Sequence, residues 1–558
     1  MSGEPAPATG PVGKLIQQMS SDAAGTASAV VDLVCAQYPH VARRIGRHDH
    51  DGRLPAVAPR SGDLFTPLLT SVRRHLDNLP TTGDPELRAD LDTCGRLLEF
   101  ERFRVVDLNQ PYLGPLDYAH EADVSGYLAG SYAPLAERVA ALLRHLAGLP
   151  DYLARAEEVL RPSISAGERL YGISWGPAQA ASIRGIAGQL AGVRPDFAQV
   201  LAPVAGAAAA ACERYARAIA GRTPAPDLLG PESLAEMLRI TEGIERPVAE
   251  LIEEAEAEVA AVTAALHRAA RRIGEATPPA AYARLLGHLP AGPVADSLRS
   301  IVERLRSFWT DRDVLPVQTY VPFELYGSHG AALAADVVFI FSPPLEAVRR
   351  PHRVHVPEPD LPRPGQPPAA AWSYLNEPTL EMLAVHELYA GHYLQMETAS
   401  TGPSPVRTSL LWFAGFTEGW AHYAEELAIE QGLADGRPLV ETAQLRFALE
   451  SASRLLTYLS VQSGRWTFAQ AGARTAEING WSAERAGRDV VETVSNRTRA
   501  MYALGKLQIR RWRAAEAATG NKELHDFHAR LMRCGCAPLS TVRRYLADAH
   551  PAALGADT

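Results

Sequence analysis

Two histidines and a glutamate in the segment Glu381–Gln395 are of types suited to holding a metal and activating water. His386 and Glu387 are adjacent, and His392 follows after four intervening residues. A catalytic zinc commonly takes two imidazoles and a carboxylate, and keeps a fourth position for water. A carboxylate that adjoins a ligand without binding the metal can accept a proton from this water as it attacks a carbonyl. The segment therefore predicts a zinc site with Glu387 as the general base.

The spacing of the two histidines differs from that of the usual zinc helix, which places its ligands at i and i+4. His386 and His392 are related as i and i+6, which is about 600° of rotation and leaves their side chains about 120° apart. A helix that brings both imidazoles to one metal must therefore widen or break. Gly391 permits such a break readily. We predict that the helix is distorted, or ends, at Ala390–Gly391.

A third ligand is expected from a second polar group, which begins twenty-six residues after His392. Glu418, His422 and Glu425 are related as i, i+4 and i+7, a spacing that places them on one face of a helix. The separation from His392 allows this helix to return antiparallel to the first one. Glu418 is the predicted third ligand, and Glu425 and His422 are predicted to support an imidazole from behind the metal.

The elements that must position these residues are mainly helices. Residues 13–313 carry apolar side chains at three- and four-residue steps, as in Pro195–Gly221 and Pro231–Ile273. A capping residue and a proline at Asn376–Thr379 indicate the start of the helix that reaches His386. We predict a large multi-helix fold of mainly α class. In it, residues 1–12 form a disordered tail, 13–313 wall a channel, and 314–558 form the catalytic region of one compact unit.

Two short strands are predicted immediately upstream of the zinc helix, at Val317–Val321 and Ala335–Phe341, because both runs are β-branched and aromatic. Two interpretations remain open. An exposed edge could hold an extended peptide, or the pair could be a small hairpin that closes the core. His329, between the strands, is interpreted as a surface loop residue. Residues 342–371 contain nine prolines, and this loop is predicted to hold neither a regular helix nor a central strand.

Composition limits the class of protein. The 558 residues are 47% apolar, so that they can bury a large core, and the net charge of −9 argues against a nucleic-acid partner. The five cysteines are scattered and odd in number, which is typical of reduced thiols. No apolar run approaches the ~18 residues of a membrane span, and the first residues do not resemble a signal peptide. From these features we expect a cytoplasmic protein without membrane partners.

The sequences HELYAGHYLQ at 386–395 and EGWAHYAE at 418–425 resemble the DUF885 family of bacterial proteins. That family is regarded as zinc metallopeptidases of mainly helical fold, distantly related to gluzincins. The resemblance covers about residues 370 to 545, including the pair Arg454-Leu455 and the segment around Tyr502. It implies Zn²⁺ as the cofactor. It also implies that Tyr502 donates a hydrogen bond to the oxyanion, with Arg499 and Tyr423 as the next candidates for this donor.

The sequence departs from the family pattern at several polar positions. Tyr393 stands where the family has a histidine, and Ala503 stands where it has a lysine. The run from Tyr458 to Gln462 replaces a polar family segment. The predicted ligands and base are thus kept, while residues expected to shape the pocket are replaced.

The predicted function is zinc-dependent hydrolysis of a peptide or of a small amide-containing substrate. Two alternatives remain. One is a zinc enzyme recruited to a different reaction on a small biosynthetic intermediate, which the replaced pocket residues favour. The other is a catalytically silent helical scaffold or binding protein. The retention of Glu387 beside both histidines argues against the scaffold, which has no physical need for this carboxylate.

Overall fold

The structure, a computed structural model, describes residues 22–57, 65–78, 84–318, 320–328, 337–359, 370–402, 404–409, 413–520 and 523–549. The protein divides into two compact units. The first extends to Asp227 and includes Pro343–Arg350, and the second contains the remaining residues from Leu228. Residues 228–313 therefore belong to the same unit as the predicted site, and the boundary between the two units precedes them. The predicted tail and His329 lie outside the described residues.

The first unit is helical apart from one pair of three-residue parallel strands. Its core lies between the long helices that end the unit, and these pack closely: a Cβ at Gly176 would lie 2.3 Å from the Cβ of Ala216. Its main elements are α1 Ala23–Gln37, α2 Pro39–Ile45, α3 Phe65–Asn78, α4 Pro85–Arg102, α5 Gln110–Leu113, α6 Leu116–Ala119, α7 Gly126–Ala129, α8 Leu135–Val159, β1 Ser163–Ser165, α9 Ala166–Ala191, α10 Pro195–Gly221 and β2 Thr223–Ala225.

The second unit contains the predicted site and a large apolar core whose members lie between Leu285 and Leu546, together with smaller apolar clusters. Its main elements are α11 Pro231–Glu242, α12 Val248–Arg272, α13 Pro278–Leu285, α14 Val294–Arg312, β3 Phe323–Ser328, β4 Val338–Ile340, β5 His352–Pro357, α15 Glu377–Glu387, α16 His392–Ser400, α17 Pro405–Ser409, α18 Ala414–Glu430, α19 Pro438–Gln462, α20 Phe468–Asn479, α21 Ala483–Ser495, α22 Thr498–Ala518, α23 Leu524–Arg533 and α24 Leu539–Ala549.

The mainly α class predicted from the sequence is confirmed, and so is the helix Pro195–Gly221. The segment Pro231–Ile273 is two helices and not one. Gly243 ends the first helix in the left-handed region, at φ 66°, and Pro247 precedes the second. No helix within the described ranges is both long enough and apolar enough to cross a membrane.

The small sheet differs from the predicted hairpin. It has three strands in the order β3–β5–β4, with β5 parallel to β3 and antiparallel to β4. The central strand, β5, lies within the loop that was predicted to hold no strand. That prediction was wrong because the prolines stand at the ends of this stretch, and residues 352–356 contain none.

The predicted strand Val317–Val321 is also wrong, since the first strand of the sheet begins at Phe323. The backbone groups of Val321 are paired with side chains instead of with a neighbouring strand. Its N–H donates to Glu397 Oε2 at 3.0 Å, and its carbonyl accepts from the Tyr393 hydroxyl at 2.9 Å. The second predicted strand is confirmed over Val338–Ile340.

Candidate metal centre

The helix that carries His386 breaks before it reaches His392. Helix α15 ends at Glu387, and α16 begins at His392. The Gly391 N–H donates to the carbonyl of Val385 at 2.8 Å. A Cβ at Gly391 would lie only 1.6 Å from the carbonyl oxygen of His386, so that only glycine fits. The predicted break at Ala390–Gly391 is confirmed, and its cause is this close backbone contact.

Two buried tryptophans hold the backbone within the break. The indole N–H of Trp309 donates to the carbonyl of Tyr389 at 3.2 Å. The indole N–H of Trp420 donates to the carbonyl of Ala390 at 3.1 Å. These bonds occupy carbonyls that a continuous helix would have paired internally. Helices α14 and α18 therefore fix the turn between the two histidines.

The break brings the three predicted ligands together. The rings of His386 and His392 are nearly perpendicular, with centroids 4.9 Å apart. Their Nε2 atoms lie 3.7 Å and 3.4 Å from Oε2 of Glu418. One ligand atom of each residue lies within 4.8 Å of the ligand atoms of the other two.

This arrangement fits a bound cation. Oε2 of Glu418 is buried and makes no hydrogen bond to any described residue. A buried carboxylate oxygen without a partner is costly unless a cation compensates it. Two imidazole nitrogens and one carboxylate oxygen are the donor set of many catalytic zinc sites, so the residues present suit zinc.

The charges within the cluster depend strongly on one another. Burial favours the neutral form of Glu418, but His392 and His386 outweigh it and hold the pKa of this carboxyl well below its usual range. Burial likewise opposes protonation of His386, yet Glu418 and Glu425 raise the pKa of its imidazole well above the usual value. The cluster therefore stabilises a positive charge placed among its carboxylates.

Glu387 lies beside this cluster and outside the set of three ligands. Burial raises the pKa of its carboxyl, against the opposing effect of His392 and His386. The backbone N–H of Phe339, on β4, lies near enough to this carboxylate to oppose the rise of its pKa. Within the described residues β4 pairs only with β5, and its side chains Val338 and Ile340 are exposed. The sheet thus presents an unpaired edge next to Glu387.

A second carboxylate holds His386 from the other side of its ring. Oε1 of Glu425 lies 2.7 Å from Nδ1 of His386, and Oε2 lies 3.2 Å from Nδ1 of His422. Burial acts to raise the pKa of Glu425, but His422 and His386 lower it to about 2. Glu425 therefore accepts the Nδ1 proton of His386, which leaves Nε2 free to act as a ligand. The positions of Glu425 and His422 agree with the predicted supporting roles.

Tyr502 lies at the cluster. Its ring stacks on that of His386, with centroids 5.6 Å apart and planes 11° apart, and burial together with the nearby carboxylate of Glu418 raises the pKa of its hydroxyl. Helix α22 approaches α18 closely enough for this contact because glycines form the helix–helix interface. A Cβ at Gly505 would lie 1.8 Å from the carbonyl oxygen of Gly415.

Tyr423, which the family resemblance made a further candidate for the oxyanion donor, lies in a different network. Its hydroxyl lies 2.9 Å from Nε2 of His528 and accepts a hydrogen bond from Arg513 at 3.0 Å. His528 in turn bonds through Nδ1 to the carbonyl of Val314 at 2.8 Å. The hydroxyl of Tyr423 is therefore committed to a buried network and does not reach the three ligands.

Arg499 is likewise held by other residues, but on the side of α22 that carries Tyr502. Its Nη2 lies 2.6 Å from Oδ1 of Asp489, and its Nη1 pairs with Glu492. The same Asp489 oxygen accepts from Nη2 of Arg454 at 2.9 Å. Sequence reasoning singled out Arg454 only through the family pattern and missed Asp489, since no local spacing connects residues on separate helices.

Two of the positions that depart from the family pattern have structural partners. Tyr393 donates to the carbonyl of Val321 at 2.9 Å. Gln462 donates to the carbonyl of Val494 at 3.0 Å and accepts from the N–H of Leu229 at 2.8 Å. Tyr458 and Ala503 are buried in the core. The polar groups of Tyr393 and Gln462 are thus engaged in internal hydrogen bonds. These two replacements therefore give weaker support to an altered substrate pocket.

A cavity of about 630 Å³ lies elsewhere in the second unit, at the beginning of α15. Glu377 and Glu381 of that helix line it, together with Arg304 and Arg437. None of the three ligands lines this cavity, and Glu381 is already paired with Arg437, Nη1 to Oε1 at 2.8 Å. The cavity is therefore not the space in front of the metal centre.

Comparison with known proteins identifies relatives of the whole fold. Residues 39–546 match the model of a family described as "Bacterial protein of unknown function (DUF885)". A structure described as a "putative lipoprotein of unknown function", from Shewanella oneidensis, is similar with a TM-score of 0.73 at 17% identity, covering 94% of this chain and 100% of the other. A "putative lipoprotein" from Colwellia psychrerythraea has a TM-score of 0.72 at 16% identity, with coverages of 95% and 98%. No curated protein sequence matches this one.

The expected cytoplasmic location is contradicted by these two structures. Both are described as lipoproteins, a class that is anchored to membranes by attached lipid. The expectation was wrong because it rested on the absence of a signal-like segment and of an apolar span, and absences of this kind do not establish a location.

Proposed function

The chain belongs to the DUF885 family of bacterial proteins, and from this premise we propose that it is a zinc-dependent hydrolase of peptide or amide bonds. The observation that carries the proposal is the convergence of His386, His392 and Glu418, with one ligand atom of each within 4.8 Å of the others. The adjacent, non-ligating Glu387 supports hydrolysis in particular, since it supplies the base that such a reaction needs.

The three converging residues would hold the ion. A bound zinc supplies Lewis-acid chemistry, which polarises a carbonyl and makes a water more acidic. Oε1 of Glu425 lies 2.7 Å from Nδ1 of His386. The carboxylate accepts the hydrogen bond from Nδ1 and so orients the imidazole. His392 is oriented by its position as the first residue of α16.

Glu387 accepts the proton of the attacking water in this proposal and returns it to the leaving nitrogen. Its carboxylate lies near the ligands, since His392, His386 and Glu418 all affect its pKa. The hydroxyl of Tyr502, which lies near Glu418, can turn to the oxyanion that forms on the substrate. The free edge of β4, whose Phe339 N–H reaches Glu387, offers main-chain hydrogen bonds to an extended peptide.

The test is hydrolysis of a mixture of short peptides and small amides by the zinc-loaded protein, followed by mass spectrometry. We expect cleavage by the wild-type protein, and a decrease of about 10²- to 10⁴-fold in Glu387→Gln with unchanged zinc content. Glu430→Gln is the control, because this exposed carboxylate at the end of α18 pairs with Arg513. Equal rates in Glu387→Gln and wild type, or no cleavage at full zinc occupancy, would contradict the proposal.

A further inference from the structure

We propose that Arg454 and Arg499 form a binding subsite for a substrate carboxylate, one helical turn from Tyr502. The inference rests on the proposed hydrolytic function for its location, and on the contacts of the two arginines for its chemistry. It names a substrate class, namely peptides with a free carboxylate close to the scissile bond.

The first observation is the position of the two guanidinium groups. Arg499 and Tyr502 are three residues apart on α22, and therefore share a helix face about 4.5 Å apart along the axis. The ring of Tyr502 stacks on that of His386, so Arg499 lies one turn from the metal centre. Arg454 reaches the same place from α19, since its Nη2 and that of Arg499 both donate to Oδ1 of Asp489.

The second observation is that one carboxylate oxygen is shared by both arginines. Oδ1 of Asp489 accepts from Nε and Nη2 of Arg454 at 3.1 Å and 2.9 Å, and from Nη2 of Arg499 at 2.6 Å. Asp489 thus holds the two planar groups side by side. The surrounding cluster has four guanidinium groups against three carboxylates, those of Arg446, Arg454, Arg485 and Arg499 against Asp489, Glu450 and Glu492.

The third observation is that Arg454 keeps unused donors. An arginine offers five N–H groups, and within the described residues Nη1 of Arg454 makes no hydrogen bond. The side chain of Arg454 is 22% exposed, so that this nitrogen is accessible. Glu492 pairs with Arg499 and is itself 45% exposed, so an incoming carboxylate could displace it.

The pair therefore has the geometry and charge to bind a carboxylate by a forked contact. An extended peptide advances about 3.3 Å per residue, and one helical turn corresponds to roughly one or two residues. The carboxylate could belong to the C-terminus of the peptide or to an acidic side chain. Either carboxylate would bind the two arginines in the same way, and the experiment distinguishes between the two sources.

The experiment measures peptide binding to the zinc-loaded Glu387→Gln protein by calorimetry, so that cleavage does not interfere. The probes are trialanine, trialanine amide and Ala-Ala-Glu amide. We expect trialanine or Ala-Ala-Glu amide to bind at least tenfold more tightly than trialanine amide, and the tighter of the two identifies the source. Arg454→Met in the same background should remove the preference, and Arg454→Lys should restore part of it.

Arg510→Met is the matched control, since it removes one positive charge from the same helix as Arg499, where the guanidinium is bound to Glu258. The Arg510→Met variant should keep the preference for the probes that carry a carboxylate. Equal binding of all three probes would overturn the inference, and so would a preference that survives Arg454→Met, because the carboxylate would then be bound elsewhere. If Arg454→Met does not fold, Arg454→Lys decides: a reduced preference would support the inference, and a preference equal to that of Glu387→Gln alone would overturn it.

The two proposals can fail separately. A carboxylate preference that depends on Arg454, in a wild-type protein that cleaves no peptide, would support the subsite and contradict the hydrolase. Cleavage of trialanine amide as fast as trialanine, with equal binding, would support the hydrolase and contradict the subsite.

Discussion

Nδ1 of His386 lies 2.7 Å from Oε1 of Glu425, thirty-nine positions further along the sequence. This contact fixes which nitrogen of the imidazole carries the proton, and so directs Nε2 toward His392 and Glu418. The same carboxylate also contacts Nδ1 of His422 at 3.2 Å. The arrangement of the centre thus depends on residues beyond the three ligands.

Glu425→Gln should weaken zinc binding by about 10- to 100-fold, because the amide supports the His386 imidazole less strongly than a carboxylate does. The measurement is a zinc titration in competition with a chelating dye. Glu430→Gln, on the same helix but 40% exposed and paired with Arg513, should bind zinc as the wild type does. Equal zinc affinities of Glu425→Gln and wild type would show that the contact does not support the ligand.

Tyr502→Phe should lower kcat by about 10²- to 10³-fold with unchanged zinc content, as expected for the loss of one oxyanion donor. Tyr423→Phe is a matched control, because its hydroxyl is bound to His528 and Arg513. It should reduce thermal stability without a comparable loss of rate. If both variants lost the same rate, Tyr502 would have no special role.

Gly391→Ala should destabilise the protein by about 3 kcal/mol or more, the upper range for overpacking. The new Cβ would lie 1.6 Å from the carbonyl oxygen of His386, and a backbone atom cannot move aside cheaply. Gly472→Ala, in α20 with open space around the new Cβ, should instead stabilise by about 0.5 to 1 kcal/mol. Urea unfolding of the wild type, Gly391→Ala and Gly472→Ala measures these differences in the free energy of unfolding. A Gly391→Ala protein of wild-type stability would contradict the described break.

Glu168→Gln tests a pH dependence in the first unit. Burial, assisted by Asp117, raises the pKa of Glu168 to about 8, although Gln110 Nε2 and the Leu116 N–H donate to its carboxylate. The native state therefore keeps a proton that the unfolded state releases above about pH 4.5, and stability falls as pH rises from there to 8. The slope is at most about 1.4 kcal/mol per pH unit.

Thermal midpoints of wild type and Glu168→Gln between about pH 5 and 8 measure this effect. The variant should lose less stability than the wild type over that range, while Glu158→Gln, an exposed carboxyl of the same unit, should follow the wild type. Parallel curves for wild type and Glu168→Gln would refute the assignment.

The ligands could be predicted from the sequence because residue type and spacing determine much of a metal site. The i+6 separation required a break, and Gly391 marked its place. Tyr502 could be selected only through the family resemblance, since a tyrosine within a helix is ordinarily a core residue. No rule of spacing distinguished it from Tyr423.

Other parts of the site depend on contacts that no local pattern encodes. The pairing of Arg454 with Asp489 spans 35 positions, and the bond from Trp309 to the carbonyl of Tyr389 spans 80. Strand β5 was missed because flanking prolines obscured a short alternating run. Val321 was misassigned because side chains, and not another strand, satisfy its backbone groups.

The zinc content of the purified protein tests the central claim most directly. Wild-type protein and Glu418→Gln are incubated with zinc, separated from free metal by gel filtration and analysed by mass spectrometry. Three convergent ligands predict about one zinc per protein molecule in the wild type, and far less in Glu418→Gln. Substoichiometric zinc in the wild type, or equal zinc in both proteins, would contradict the assignment of His386, His392 and Glu418 as a metal centre.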